Sequence, residues 1–400
     1  MRVSSVVRIQ NIDLLILLLT EKKPMKITTS ILVFVLGLSS LSAQISSATE
    51  KLTLPANLSE SSGAIFFNNK LITHNDSGGD PKIFELDTIS GAVTRTVTIS
   101  NATNMDWEDI TQDDTSIFIG DIGNNNGTRT DLKIYKISKS EYLTSTTVAA
   151  ETINVSYAAQ TDFTSTPNKT VWDAEALVSF DDSNLILFSK NWVNFETSAY
   201  VVPKAPGTYS LSPLTTKLDA ASVITGGAYN PLSKKLYLVG SSIDATFTVQ
   251  SVVWVCDGFS GLTDVFDGDN TKTTLSAFSN YQIEAITFVS VNSYLMTSEA
   301  FPHPFSPSVA KLITFSTSDV LSSETFTAPN DVLVYPNPVN SFLHLKNNRI
   351  ESIELYDLKS VQLYKGSNSI IDMRAFENGL YIVKATLKDH TIQITKILKR

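Results

Sequence analysis

Three glutamates, Glu108, Glu175 and Glu284, stand at matching places in a pattern that recurs along the middle of the chain. In each copy a small or acidic residue and then an apolar residue follow the glutamate, and a turn leads to a second apolar stretch. Carboxylates brought together from separate copies repel one another and raise one another's pKa unless a cation lies between them. The pattern therefore predicts a metal site, provided that the fold gathers these residues.

Further oxygen donors lie at the ends of the second stretches. Asp76 and Asp121 each follow the start of their copy by 13 residues, and Asn125 lies in the run Gly-Asn-Asn-Asn-Gly just beyond. Calcium accepts six to eight oxygen ligands and tolerates irregular geometry, whereas zinc prefers closely spaced histidine or cysteine pairs, which this chain lacks. The predicted cofactor is Ca²⁺, and its predicted ligands are Glu108, Glu175, Glu284, Asp121, Asp76 and Asn125.

The repeated pattern predicts the elements that would position these ligands. Five copies begin at Gly63, Glu108, Glu175, Gly227 and Glu284. Four-stranded units that repeat in this way, without helical periodicity between them, are typical of a β-propeller. The prediction is an all-β chain whose propeller has five visible repeats, with room for a sixth blade in the 67 residues that separate the second copy from the third. A β-sandwich is the alternative.

Blade geometry predicts where the polar residues meet. The second strand of a blade returns antiparallel to the first, so the start of the first strand and the end of the second lie on one face. The glutamates are therefore expected to share a rim with Lys190 and Glu299, besides the two aspartates. In the competing hypothesis each glutamate accepts backbone hydrogen bonds from neighbouring blades, and the aspartates serve only their turns.

Composition narrows the class of partner. The chain has 31 Lys+Arg against 40 Asp+Glu and a net charge of −9, whereas residues 331–400 hold 10 basic and 7 acidic residues. An acidic propeller repels phosphates, so nucleic acid is excluded as a partner, and cations or neutral ligands are favoured. The single cysteine, Cys256, rules out an intramolecular disulfide.

The first 43 residues are typical of a secretory signal region. Met25-Lys26 precedes the apolar run Ile31–Leu38, and small residues follow it, so Met25 is the expected start. Eight apolar residues are too short to span a bilayer, and no transmembrane segment is expected in the mature protein; a retained anchor is the alternative. The propeller is assigned to residues 44–322, and a polar linker to residues 323–330.

The C-terminal part, residues 331–400, alternates apolar and polar residues with turn spacing that predicts a small immunoglobulin-like β-sandwich of about seven strands. Its Tyr335-Pro336-Asn337-Pro338 opening, Leu355-Tyr356-Asp357-Leu358 middle, Asn378-Gly379-Leu380-Tyr381 segment and basic end resemble the C-terminal sorting domain of the type IX secretion system of Bacteroidetes. The resemblance implies the type IX machinery as a partner and a location outside the cell or on its surface. An ordinary carbohydrate-binding sandwich is the alternative.

The middle of the chain resembles extracellular six-bladed propellers of the esterase-like phytase and lactonase type. The resemblance rests on segments such as Trp107-Glu108-Asp109-Ile110, Asp173-Ala174-Glu175-Ala176 and Glu284-Ala285-Ile286. It implies a calcium ion at the channel mouth. The functional hypothesis is an exported propeller that binds calcium and a small molecule, a glycan or a surface partner. The alternatives are a metal-dependent hydrolase of esters, lactones or phosphoesters, with His74 and His303 as bases, and a purely structural or adhesive module.

Overall fold

The computed structural model describes residues 45–302, 307–318, 332–347, 349–358, 361–388 and 392–400. Over these residues the chain is almost entirely β-structure, with one short α-helix, α1 (Lys139–Thr144), and two 3-10 turns at Ala56–Leu58 and Ser276–Phe278. None of the helices in the described ranges is long and apolar enough to cross a membrane. The signal region with its start at Met25, the predicted linker and His303 lie outside the described residues.

The propeller begins with β1 (Ile45–Thr53), which joins the last blade rather than the first. The first blade contains β2 (Ser61–Phe67), β3 (Lys70–Asn75), β4 (Lys82–Leu86) and β5 (Val93–Ile99). The second blade contains β6 (Trp107–Gln112), β7 (Ser116–Asp121), β8 (Lys133–Ser138) and, after α1 and the short β9 (Thr147–Val148), β10 (Glu151–Tyr157).

The third blade has the fewest strands of the five. It contains β11 (Ala174–Ser179), β12 (Asn184–Ser189) and β14 (Ala199–Pro203), while β13 (Glu196–Thr197) pairs with β16 (Leu218–Asp219), and β15 (Gly207–Leu211) joins the second blade. The fourth blade contains β17 (Val223–Asn230), β18 (Lys235–Ile243), β19 (Val249–Asp257) and β20 (Asp269–Thr274). The fifth blade contains β21 (Gln282–Ser290), β22 (Ser293–Glu299), β23 (Lys311–Thr317) and β1.

The five sheets close into a ring. Inner strands β2, β6, β11, β17 and β21 pack against one another in this order, and β21 also packs against β2. The protein is therefore a five-bladed β-propeller, and a sixth blade is not present among the described residues. The long interval between Glu108 and Glu175 instead holds the remainder of the second blade together with α1 and β9.

Three strand exchanges protect the sheet edges of the ring. β1 pairs antiparallel with β23, so a strand from the start of the chain completes the last blade, as is common in propellers. β9 pairs parallel with β5, and β15 pairs parallel with β10, so each adds a strand to the outer edge of the preceding blade. Paired edges leave fewer backbone groups free to join another chain.

Both faces of each sheet are buried between blades, which explains the nearly continuous apolar second strands. Ile117–Ile119 and Leu185–Phe188 have every side chain buried, and successive side chains of each run pack in different apolar clusters. A sheet that is covered on both faces requires apolar residues at successive positions rather than at alternate ones. The core is therefore distributed as a set of apolar interfaces around the ring.

The C-terminal part contains seven strands in two sheets. The strands are β24 (Leu333–Tyr335), β25 (Phe342–Lys346), β26 (Ile350–Tyr356), β27 (Gln362–Gly366), β28 (Ile370–Asp372), β29 (Gly379–Leu387) and β30 (Ile392–Lys399). One sheet has the order β24-β25-β28 and the other β27-β26-β29-β30, and buried residues such as Leu343, Leu355 and Val383 share one core. The strand number agrees with the number predicted from the sequence, and the immunoglobulin-like topology stays a prediction.

Candidate functional site

Every inner strand carries a β-bulge at the same level of the ring. In each blade the pairing between the first and second strands skips one residue, and these residues are Ser62, Glu108, Glu175, Thr225 and Glu284. A bulge leaves its extra residue unpaired and re-aims its side chain. The three glutamates singled out in the sequence are therefore structurally equivalent, and hydroxyl residues occupy the two other positions.

The bulges correct the alignment of two sequence copies. The sequence pattern placed Gly63 and Gly227 at the position of the glutamates, whereas the pairing places Ser62 and Thr225 there. Both hydroxyls join neighbouring blades, because Ser62 Oγ donates to the carbonyl of Glu108 at 2.7 Å and Thr225 Oγ1 donates to the carbonyl of Ile283 at 2.7 Å. Two of the five bulge positions are thus used to hold the ring together.

Asp109, the residue after the second bulge, links three blades. Its Oδ1 accepts the N–H of Ile110 at 2.8 Å, and its Oδ2 accepts the N–H of Leu177 at 2.9 Å and of Gly227 at 3.4 Å. Burial raises the pKa of Asp109, while these backbone N–H groups oppose the rise. The equivalent residues in the other blades are all small, namely Gly63, Ala176, Gly226 and Ala285. The fully buried Asp109 therefore accepts backbone hydrogen bonds from neighbouring blades, which the competing hypothesis assigned to the glutamates.

Three carboxylates meet at the end of the ring marked by the bulges. Asp76, Asp106 and Glu108 each offer an oxygen within 4.8 Å of the others. Asp106 and Glu108 are two residues apart on one chain segment, and Asp76 follows β3 of the neighbouring blade. Two oxygens bound to one calcium ion at 2.3–2.6 Å are at most roughly 5 Å apart, so the spacing fits such an ion.

Gly123 keeps the space beside these carboxylates open. A Cβ at this position would lie within contact distance of two carboxylate oxygens, Oε1 of Glu108 and Oδ2 of Asp106, and its amide donates to the carbonyl of Asp106 at 3.2 Å. Any larger residue would displace both carboxylates. The glycine thus permits the close approach of chain and carboxylates that the cluster requires.

Lys190 compensates part of the negative charge. Its Nζ pairs with Oε1 of Glu175 and lies 4.8 Å from the ring centroid of Trp192. Burial works against the charge of Lys190, but the carboxylates of Glu175, Glu284 and Asp173 raise its pKa above the usual value. The lysine is therefore held as a buried ammonium group.

The carboxylates at this end of the ring have raised pKa values. Burial raises the pKa of Asp76 to about 6 and, with a further contribution from Asp76, the pKa of Asp106 to about 7. Burial and the Glu284 carboxylate raise the pKa of Glu299 to about 9. Burial also raises the pKa of Glu108, and the carboxylate of Glu175 adds to the rise. We call this end the acidic mouth, defined by Asp76, Asp106, Glu108, Glu175, Glu284 and Glu299.

The structure does not bring all six predicted ligands into one cluster. The carboxylate of Asp121 pairs with Arg129 Nη2 at 2.8 Å and accepts the backbone N–H of Asp106 at 3.1 Å. Asp121 therefore contacts the backbone of a cluster residue. The backbone carbonyl of Asn125 accepts the N–H of Asn168 at 2.9 Å.

Glu175 and Glu284 also lie outside the three-carboxylate group. Both carboxylates raise the pKa of Lys190, so they face the buried ammonium group at the same end of the ring. Of the five predicted carboxylate ligands, Asp76 and Glu108 thus belong to the cluster, whereas Glu175, Glu284 and Asp121 do not.

Sequence reasoning missed Asp106. Its signal is the run Asp-Trp-Glu-Asp, in which residues two apart project to the same side of an extended chain. His74, predicted as a candidate base, lies in the core instead: its ring meets Trp107 edge-on at 5.6 Å and is completely buried. Burial lowers the pKa of His74 to about 4.

Comparison with solved structures gives only distant similarity. The exo-β-1,3-galactanase 1,3Gal43A from Clostridium thermocellum is 10% identical, with a TM-score of 0.43, over 88% of this chain and 86% of that chain. The α-L-arabinofuranosidase PaAbf62A from Podospora anserina is 10% identical, with a TM-score of 0.38, over 68% and 95%. The β-1,3-galactosidase BT0265 is 9% identical, with a TM-score of 0.38, over 87% and 79%. At these values the similarity assigns no activity.

No curated protein matches the chain significantly. A protein family does match the C-terminal part of the chain. Residues 333–400 match the family of secretion system C-terminal sorting domains, in agreement with the sequence resemblance to the type IX tail. The protein is therefore a cargo of the type IX secretion system and is secreted or located at the cell surface.

Proposed function

We propose that the exported propeller binds a calcium ion at its acidic mouth and uses this mouth to hold a small ligand or a partner outside the cell. The observation that carries the proposal is the convergence of Asp76, Asp106 and Glu108 within 4.8 Å of one another. These side chains come from two blades, so the ion would tie neighbouring blades together. A cation placed between carboxylates with raised pKa values stabilises their charged forms.

Calcium suits this donor set better than other common ions. The donors are carboxylates, which favour hard cations over zinc. Three carboxylates on two chain segments leave several positions for water or for a ligand oxygen, and calcium accepts such irregular sets, whereas magnesium requires a near-ideal octahedron. Gly123 leaves room beside the carboxylates that a side chain would fill. A ligand with hydroxyl or carbonyl oxygens would complete the coordination.

Calorimetric titration of the protein with calcium tests the proposal. We expect one site with a Kd on the order of 10⁻⁴ M, the range of extracellular calcium modules. Glu108→Gln removes a charged ligand, and Gly123→Ala pushes two ligands aside, so each is expected to weaken binding at least about tenfold. The same preparations, examined by thermal melting with and without calcium, show whether the ion stabilises the fold.

Two matched variants serve as controls. Glu151→Gln removes an exposed carboxylate on β10, and Gly79→Ala adds a methyl group whose nearest neighbour is 3.9 Å away, so both are expected to bind calcium as the native protein does. Absence of binding at about 10 mM calcium would contradict the proposal and favour a purely structural or adhesive role.

Calcium affinity is expected to rise with pH. In the cation-free fold Asp76 keeps its proton up to about pH 6 and Asp106 up to about pH 7, and calcium must displace these protons. Affinity should therefore increase on the order of tenfold to a hundredfold between about pH 5.5 and 7.5. Calorimetry at several pH values measures this change, and an affinity that is constant or that falls over the interval would argue against these ligands.

The stability of the cation-free protein is expected to fall as pH rises, whereas calcium affinity is expected to rise. Folded carboxylates with raised pKa values contribute most stability below their unfolded pKa and lose it as pH rises through the folded value, which is about 9 for Glu299. His74 has an effect only below pH 6.5, where its lowered pKa makes the fold weaker as pH falls. Melting temperature in chelator should thus decline from about pH 6.5 to 9. In the presence of calcium the decline should be smaller.

A metal-dependent hydrolase is the second candidate. In this candidate Asp106 would act as a general base beside the ion instead of binding it, and the cation would lower its pKa from the value of about 7 in the cation-free fold. In this candidate the ion would polarise an ester, lactone or phosphoester. Turnover of such substrates that is lost in Asp106→Asn would favour it, whereas a blank substrate screen with intact calcium binding would leave the binding function alone.

A further inference from the structure

A second cavity lies at the other end of the ring. Four residues beyond the five bulges, the inner strands present Phe66, Gln112, Ser179, Tyr229 and Phe288, which all line a cavity of ≈ 710 Å³. At a rise of about 3.3 Å per residue, this level is about 13 Å from the bulges. We call it the aromatic mouth. Nothing in the acidic mouth contributes to its lining.

Aromatic rings from several blades form the walls. Phe66, Tyr229 and Phe288 come from the first, fourth and fifth blades, and Phe180 packs on Tyr229 with ring centroids 4.7 Å apart. All four side chains are half-buried, so each packs on the core with one part and remains accessible with another. Such rings offer flat apolar faces to a ligand.

Polar groups of both kinds surround these rings. Lys204 pairs with Asp113 at 3.0 Å, and Lys139 lies 4.4 Å from the ring centroid of Phe67. Asp114 and Asp181 are exposed at the edge of the cavity. The lining thus supplies hydrogen-bond donors and acceptors side by side, with charges of both signs. A lining of this kind suits hydroxyl groups, which donate and accept at once.

We propose that the aromatic mouth binds a neutral carbohydrate. A sugar ring presents apolar C–H faces to aromatic side chains and hydroxyl groups to carboxylates, amides and ammonium groups. A cavity of ≈ 710 Å³ lies within the range of roughly 300–1,000 Å³ of small-ligand sites and holds more than one sugar unit. Four aspartates, Asp113, Asp114, Asp181 and Asp182, line the cavity against Lys139 and Lys204, and Lys204 is paired with Asp113, so the lining disfavours an anionic ligand. This site is separate from the proposed cation site.

Binding of neutral sugars to the full exported protein tests the inference. The probes are a set of neutral di- and trisaccharides, with choline and citrate as charged probes of similar size, and calorimetry measures affinity. We expect at least one sugar to bind saturably, and Tyr229→Ala and Phe180→Ala each to weaken it about tenfold. Phe247→Ala, which truncates a phenylalanine 82% exposed outside the cavity, should bind as the native protein does.

The outcomes separate this inference from the cation proposal. Sugar binding should survive chelator and Glu108→Gln, because neither touches the aromatic mouth. Thermal melting checks that the aromatic variants fold; if they do not, Asp114→Asn changes one exposed edge carboxylate and should weaken binding several-fold. Failure of every sugar to bind at about 10 mM, equal affinity in all variants, or preference for choline or citrate would overturn the inference.

Discussion

Asp109→Ala is expected to destabilise the propeller by about 3–5 kcal/mol, a large share of the stability of a domain. The carboxylate of Asp109 is completely buried and accepts N–H groups from Ile110, Leu177 and Gly227, which belong to three different blades. Alanine would leave these donors without partners in the centre of the ring. The denaturant midpoint, measured with its slope, reports the loss as a change in the free energy of unfolding.

Two substitutions provide the comparison. Asp114→Ala removes an exposed carboxylate from the hairpin that follows β6 and is expected to change stability by less than about 0.5 kcal/mol. Asp109→Asn keeps one acceptor oxygen, so its loss of stability should lie between the losses of Asp109→Ala and Asp114→Ala. Equal losses for Asp109→Ala and Asp114→Ala would show that the link between blades does not stabilise the ring.

Lys190→Met is the second substitution with a large expected effect. The substitution removes the ammonium group that pairs with Glu175. The charge of this ammonium group lowers the pKa of Glu108 and Glu284 in the acidic mouth. Breaking a buried pair by removing one partner costs about 3–5 kcal/mol, because the other charge stays buried without compensation. Calcium-free unfolding of the variant measures the loss, and saturating calcium should recover part of it if the ion lies among the same carboxylates.

The double variant Lys190→Met with Glu175→Gln separates charge from packing. Removing both charges should restore most of the stability, since the remaining cost would be limited to altered packing against Trp192. A double variant as unstable as Lys190→Met alone would show that the lysine acts through packing and not through the charge balance of the acidic mouth.

The periodic sequence pattern predicted the positions of the glutamates because their blades repeat closely. Glu108, Glu175 and Glu284 stand at true bulges, each followed by a residue that packs in the ring. The pattern did not reveal the bulges themselves, since an unpaired extra residue leaves the apolar spacing on either side intact. The copies that start at Gly63 and Gly227 were therefore aligned one and two residues too late.

The remaining differences come from tertiary contacts that local pattern does not contain. Asp121 ends its strand as expected, but Arg129, eight residues later, turns toward it and pairs with it. Asp106 lies before its strand and joins the site only because β3 brings Asp76 beside it. The interval with room for a sixth blade contains β9, which crosses to the first blade. Such exchanges depend on which blades are neighbours, and that is set by closure of the ring.

The proposed cation site would be seen most clearly in a crystal structure of the exported protein grown with calcium. We predict one strong density peak at the acidic mouth, with oxygens of Asp76, Asp106 and Glu108 at about 2.3–2.6 Å from it. The peak should disappear in crystals of Glu108→Gln grown in the same way. Carboxylates that point apart, with no peak among them at saturating calcium, would contradict the claim that the five-bladed ring builds a cation site.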